Sequence, residues 1–319
     1  MDRAANRDLV DPELLPLLDS FPAFELTEAL LPLMRMRATR FQVRPEDLAR
    51  TSLERRTIPG PAGAPEVDVL VYRPKDAAGP LPCILHIHGG GYVAGAAADN
   101  EAVHRPLAAD LACCIVSVEY RLAPETPFPG PLEDCYAALA WIFASTETLG
   151  VDRTRVGLMG ESAGGGLAAG LALLARDRGD YPLAFQHLIY PMIDDRTCVS
   201  PDPHPYAGAF VWTPQANTFG WRALLGHEPG ADGVSPYAAA ARATDVSGLP
   251  PTFIATGALD LFLEEDLAYA QQLLRAGVPV ELHVYPGAFH GFQWAPEASV
   301  SQTAARDSRA ALARALAPA

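Results

Sequence analysis

Four short stretches of this chain carry side chains able to do chemistry together. The first is Gly160-Glu161-Ser162-Ala163-Gly164, which fits G-x-S-x-G between an apolar strand-like run and a long Ala/Leu helix-like run. A serine at the apex of such a turn is forced into strained backbone and stands at a helix N-terminus, whose free N–H groups favour developing negative charge. The second is His86-Ile87-His88-Gly89-Gly90-Gly91-Tyr92, where three glycines follow a buried-looking strand and leave backbone N–H groups free to crowd a small anion. Holding the oxyanion of a tetrahedral intermediate needs such donors, each worth about 3 kcal/mol of barrier. The third is His290 in "YPGAFHGFQW", and the fourth is Asp260 in "TFIATGALDLFLEED". Both lie just past strand-like runs, at the sheet edge where parallel sheets place their sites. Ser162 would be the nucleophile, His290 the general base, and Asp260 the group fixing its tautomer.

Other readings compete at each point. Ser162 could serve only as a helix N-cap. Gly164 to Ala169 also satisfies a dinucleotide fingerprint, with Asp194 or Asp195 as the distal acid, although it follows several earlier strands. His86 and His88 alternate on one strand and could begin a metal site, but no third ligand at characteristic spacing is evident. A phosphate loop would need a Gly-Lys-Ser/Thr sequel, which is missing. Asp194 and Asp195 rival Asp260 as the acid. Glu264, Glu265 and Asp266 fall in a helix's first turn, where acids commonly serve the dipole. His104, His187, His204, His227 and His283 lack the strand-end placement of His290.

The elements that must position these groups follow from the apolar pattern. Seven runs have strand length: 67–74, 82–90, 113–121, 155–162, 185–194, 250–260 and 280–290. The later ones are almost continuously apolar, as in strands buried on both faces of a parallel sheet. Helical segments alternate with them near 100–112, 131–145, 162–178 and 263–276, with another at the C-terminus, which predicts an α/β doubly wound sheet. Residues 1–50 show helical patterning broken by prolines, implying several short helices. Residues 195–249 interrupt the rhythm with prolines and aromatics, as an excursion packed over a site would. The expected organisation is therefore 1–50, 51–194, 195–249 and 250–319, the second and fourth forming one core.

Bulk properties narrow the classes. The chain has 319 residues, 24 Lys and Arg against 38 Asp and Glu, and a net charge of −14. No basic stripe exists to meet nucleic acid or an anionic membrane surface. The five cysteines, Cys83, Cys113, Cys114, Cys135 and Cys198, are odd in number and show no CxxC pairing, so buried free thiols are expected. The first twenty residues lack the apolar core of a signal peptide, and no run of about 18 apolar residues occurs. A cytoplasmic protein is expected.

With "HGGGY" at 88–92, "EYRLAPE" at 119–125, "GESAGG" at 160–165, the acid loop at Asp260 and "FHGF" at 289–292, the chain resembles the hormone-sensitive-lipase-like branch of the α/β-hydrolase esterases. The resemblance spans residue 51 to the C-terminus. It implies an α/β-hydrolase fold with an eight-stranded, mostly parallel sheet, its first strands antiparallel, flanked by helices. A helical cap would come from the N-terminal segment and the insertion. The chain order Ser162, Asp260, His290 is that of the fold. By motif, Gly90, Gly91 and Ala163 would donate to the oxyanion, with His88, Gly89 and Glu161 in support. Glu161 stands where the family more often has Asp or Thr, and "DLFLEE" departs from the usual Asp-Pro-Leu. The implied activity is hydrolysis of a small-molecule carboxylic ester of short or medium chain, without cofactor or metal. Tyr92, Phe210, Trp212 and Trp221 would line the pocket, and a homodimer is plausible. An amidase, lactonase, thioesterase or deacetylase would use the same groups. A hormone-binding module on this fold would lack the histidine present here at 290.

Overall fold

A computed structural model describes residues 6–21, 25–36 and 41–318. Eight strands form one sheet: β1 (Thr51–Ile58), β2 (Val67–Pro74), β3 (Leu81–Ile87), β4 (Cys114–Glu119), β5 (Val151–Glu161), β6 (Gln186–Ile189), β7 (Thr252–Gly257) and β8 (Val280–Tyr285). Their spatial order is β1-β2-β4-β3-β5-β6-β7-β8. β2 runs antiparallel to both neighbours, and β3 to β8 are parallel. β3 is buried along its whole length, as its unbroken apolar run predicts. β1 has no such run. Its "TSLERRTI" alternates charged residues on an edge strand with little burial, so only its two end residues are buried and apolarity gives no sign of it.

The helices fill the crossovers at Glu101–Asp110, Gly130–Ala144, Ala163–Arg178 and Leu263–Arg275, with a terminal helix at Ser299–Leu316. The Ala163–Arg178 helix is buried from Ala163 through Ala175. Its small residues permit this. A methyl group at Gly164 would lie 2.0 Å from the Ile87 carbonyl oxygen, and one at Gly166 2.1 Å from that of Met192. These glycines are taken up by packing against β3 and the chain leaving β6, which leaves no open cradle for a dinucleotide.

In the N-terminal region, short helices occur at Leu15–Asp19, Leu31–Met34 and Pro45–Arg50. Expectations for 1–5, 22–24 and 37–40 fall outside the described residues. Arg35 ties this region to the core: its guanidinium donates to both Glu125 carboxylate oxygens at 2.8 Å, to the Val93 carbonyl at 2.7 Å and to that of Ala123 at 2.9 Å. The segment between β6 and β7 carries the Pro214–Leu225 helix. It is pinned by buried Asp195, which pairs with Arg242 and accepts the Gly230 N–H at 2.6 Å.

Candidate active site

The sheet's C-terminal edge gathers the chemistry-bearing residues from four strands. β5 ends at Glu161 and the next helix begins at Ala163, so Ser162 alone makes the corner. Its φ of +55° and ψ of −123° are strained for a side-chain-bearing residue. The neighbouring strand end holds the corner: the Ser162 N–H donates to the Ile189 carbonyl, and its own carbonyl accepts from Gly166 and Met192. At Gly160 a methyl group would lie 2.3 Å from the Gly164 carbonyl oxygen, so the turn closes only without a side chain there.

Asp260 lies three residues past β7 and His290 five past β8. Their loops are cross-tied, because Ala258 N–H donates to the Tyr285 carbonyl and Leu259 N–H to that of Ala288, each at 2.9 Å. In this frame His290 Nδ1 lies 2.8 Å from Asp260 Oδ2, and His290 Nε2 lies 2.9 Å from Ser162 Oγ. The other carboxylate oxygen of Asp260 accepts the Phe262 N–H at 3.0 Å. All three side chains are buried. The imidazole is walled by Tyr190 at 4.5 Å and by Phe262, edge-on, at 5.2 Å. A carboxylate accepting at Nδ1 makes that nitrogen the protonated one and leaves Nε2 to accept from the hydroxyl.

Gly90 and Gly91 have φ of +124° and +62°. Among the described residues their N–H groups donate to nothing. The Ala163 N–H, the first of its helix, has no intrahelical acceptor. The loop is set beside Ser162, since a methyl group at Gly89 would lie 3.4 Å from Ser162 Cβ. Behind it, the His88 ring stacks on Tyr120 at 4.2 Å and its Nδ1 donates to the Gly89 carbonyl. Burial drives the His88 pKa down to about 4, so the ring is neutral. Glu161 accepts the Gly89 N–H at 3.1 Å.

The alternatives are accounted for by their contacts. Asp194 pairs with Arg196 and Asp195 with Arg242, so neither meets His290. His86 bonds to Ser117 and Glu161 and His88 to backbone, which draws the two rings into different partner sets. His187 stacks flat on Phe253, and burial pushes its pKa down to about 3. His204 and His227 bond to nearby backbone, and His283 to Glu281.

The four aromatics expected to line the pocket differ in their surroundings. Trp212 lies 6.3 Å from the His290 ring and directly over Gly91. Tyr92 and Trp221 are fully buried against each other, and the Tyr92 hydroxyl donates to the Met192 carbonyl. Phe210 is buried against Phe289. Trp212 follows Val211, a β-branched residue held at φ +59°. Its indole N–H donates to Asn217 at 3.1 Å.

Comparison with known proteins now decides the family. Residues 84–294 match a family model described as alpha/beta hydrolase fold. The chain belongs to that family. It is 36% identical over 287 residues to a carboxylesterase, NlhH, of Mycobacterium tuberculosis, covering 89% of this chain and 88% of that one. An ethyl acetate hydrolase of Pseudomonas putida is 32% identical, covering 77% of this chain and 74% of its own. The solved structure of a bacterial heroin esterase superposes with a TM-score of 0.86 at 40% identity, covering 98% of this chain and 99% of that one. These relatives bear out the esterase branch and the α/β-hydrolase fold expected from the motifs.

Proposed function

We propose that this protein is a serine carboxylesterase that hydrolyses small-molecule esters through an acyl-enzyme on Ser162. The unbroken relay from Ser162 Oγ through His290 to Asp260, at 2.9 and 2.8 Å, carries the reading. His290 Nε2 takes the hydroxyl proton as Oγ attacks the acyl carbon, while Asp260 holds the imidazole in the tautomer able to accept it. Negative charge developing on the carbonyl oxygen meets the N–H groups of Gly90, Gly91 and Ala163. His290 then gives the proton to the leaving alcohol, and water repeats the cycle on the acyl-enzyme.

Trp212 bounds the substrate space beside the oxyanion loop, which favours short and medium acyl chains. The likeness to an ethyl acetate hydrolase supports this. Five free cysteines support a reducing, cytoplasmic setting. Among the described residues, no helix is long and apolar enough to cross a membrane. β8 is an edge strand, open to pairing with a second copy. The division into 1–50, 51–194, 195–249 and 250–319 belongs to the same reading, with the first and third as cap.

An organophosphonate should label the protein once per chain, and Ser162→Ala should abolish both labelling and turnover of nitrophenyl esters. Near-full esterase activity in that variant would remove the mechanism. A chain-length series peaking at long acyl chains would remove the substrate assignment.

A further inference from the structure

A second histidine–carboxylate pair stands behind the glycine loop. His86, buried on β3, places Nε2 2.9 Å from Glu161 Oε2 and Nδ1 2.9 Å from the Ser117 hydroxyl oxygen. The Ser117 hydroxyl proton goes to the Ala97 carbonyl at 3.1 Å, so Ser117 can only accept from His86. His86 Nδ1 therefore carries a proton. The contact to Glu161 then joins a ring nitrogen and a carboxylate oxygen, which would repel at 2.9 Å without a proton between them. The other oxygen, Glu161 Oε1, accepts the Gly89 N–H at 3.1 Å and Asn100 Nδ2 at 2.6 Å, a much shorter contact than the 3.2 Å from Asn100 Nδ2 to His86 Nε2. Donors on that side favour the ionised carboxylate, placing the shared proton on His86.

We infer that His86 is an imidazolium paired with Glu161, and that this pair is the positioning device that holds Gly89, and through it the oxyanion donors, beside Ser162.

The surroundings fit a single positive charge. The Glu101–Asp110 helix presents His104, whose ring lies 4.1 Å from His86 at 71°. Neither of its nitrogens has a hydrogen-bond partner among the described residues, and burial holds it neutral. His88, at the end of β3, is neutral as well. Tyr72 from β2 lies beyond His104, at 5.2 Å, with its hydroxyl held protonated by burial. Glu119 on β4 is engaged with the Ala97 N–H, and Glu101 with Arg105. Glu161 is the carboxylate in contact with His86. Burial alone would raise its pKa, but His86 and the converging donors bring it below the ordinary carboxylate range. A charged pair one residue from the nucleophile thus anchors the loop's first amide from behind, where substrate does not reach.

The inference deepens the esterase reading and is tested first without substrate. In protein labelled with ¹⁵N-histidine, assigned with His86→Gln, the His86 signals at pH 7.5 should show both nitrogens protonated. In Glu161→Gln they should show Nδ1–H alone, because the amide can donate to Nε2. A neutral His86 in the native protein overturns the inference, whatever the esterase assay gives. In turnover of nitrophenyl butyrate, Glu161→Ala should lower kcat at least about tenfold with KM within about threefold, a fraction of the 10²–10³ carried by one oxyanion donor. Glu161→Gln, which still accepts from Gly89, should recover most of that loss. Glu161→Ala with native kcat, or Glu161→Gln no better than Glu161→Ala in folded protein, also overturns it.

Discussion

Gly91→Ala isolates how the oxyanion loop is built. Gly91 has φ +62°, where a side chain costs about 1–2 kcal/mol. The added methyl would also lie 2.2 Å from Trp212 Cη2 and 2.8 Å from Cζ2. Ordinary carbon contacts lie at about 3.5–4.0 Å, so one partner must retreat by more than about 1 Å. The indole is held in place, because its N–H is tied to Asn217. The loop must therefore give way, and its amides leave the position the oxyanion needs. A misplacement near 1 Å costs about 10²-fold, and one lost donor 10²–10³-fold. With nitrophenyl butyrate, Gly91→Ala should lower kcat at least about 10²-fold and change KM much less. Adding Trp212→Leu removes the clash but not the backbone strain. The double variant should regain at least about tenfold in kcat while staying less heat-stable than Trp212→Leu alone. Native kcat in the single variant, or a double variant as impaired as the single, would refute the reasoning.

Asp260→Asn should lower kcat by about 10⁴-fold with little change in melting temperature, since the amide no longer fixes the productive tautomer. A loss under about tenfold in steady-state assays would count against that role. Asp266 is buried, with no hydrogen bond of ordinary geometry to either oxygen among the described residues. Burial, with Glu265 and Asp260 nearby, raises its pKa well above the ordinary value. Stability from its protonated form is therefore complete below about pH 4 and lost as pH rises through the folded value. Asp266→Asn should leave the melting temperature unchanged at pH 4 and raise it at pH 8, about 2–4 °C for each kcal/mol relieved; scanning calorimetry at both pH values decides it. Arg35→Lys cannot reproduce the fork that spans Glu125 and two carbonyls. Limited proteolysis within residues 6–36 should quicken several-fold, and an unchanged digestion rate would deny the clamp.

The strands bearing the site were legible because burial on both faces demands continuous apolar runs, and the turn at Ser162 because glycine spacing leaves few other geometries. β1 was hidden by its charged alternation on an edge. The pocket was hard to read for a different reason. Tyr92, Phe210, Trp212 and Trp221 look alike as residue types, and only packing shows that the Trp212 ring lies beside His290. His86 and Glu161 are 75 positions apart. Their meeting depends on β3 and β5 lying side by side although β4 intervenes in the chain, a pairing that local pattern does not encode.

Ser162, Asp260 and His290 all sit just past strand ends, whereas residues 195–249 bring the Trp212 ring to that centre. Descendants of this chain could thus alter that segment by insertion, deletion or drift and acquire new ester preferences without touching those three residues. The indole at 212, held by a turn that its valine neighbour adopts under strain, is where such a lineage would be expected to change first.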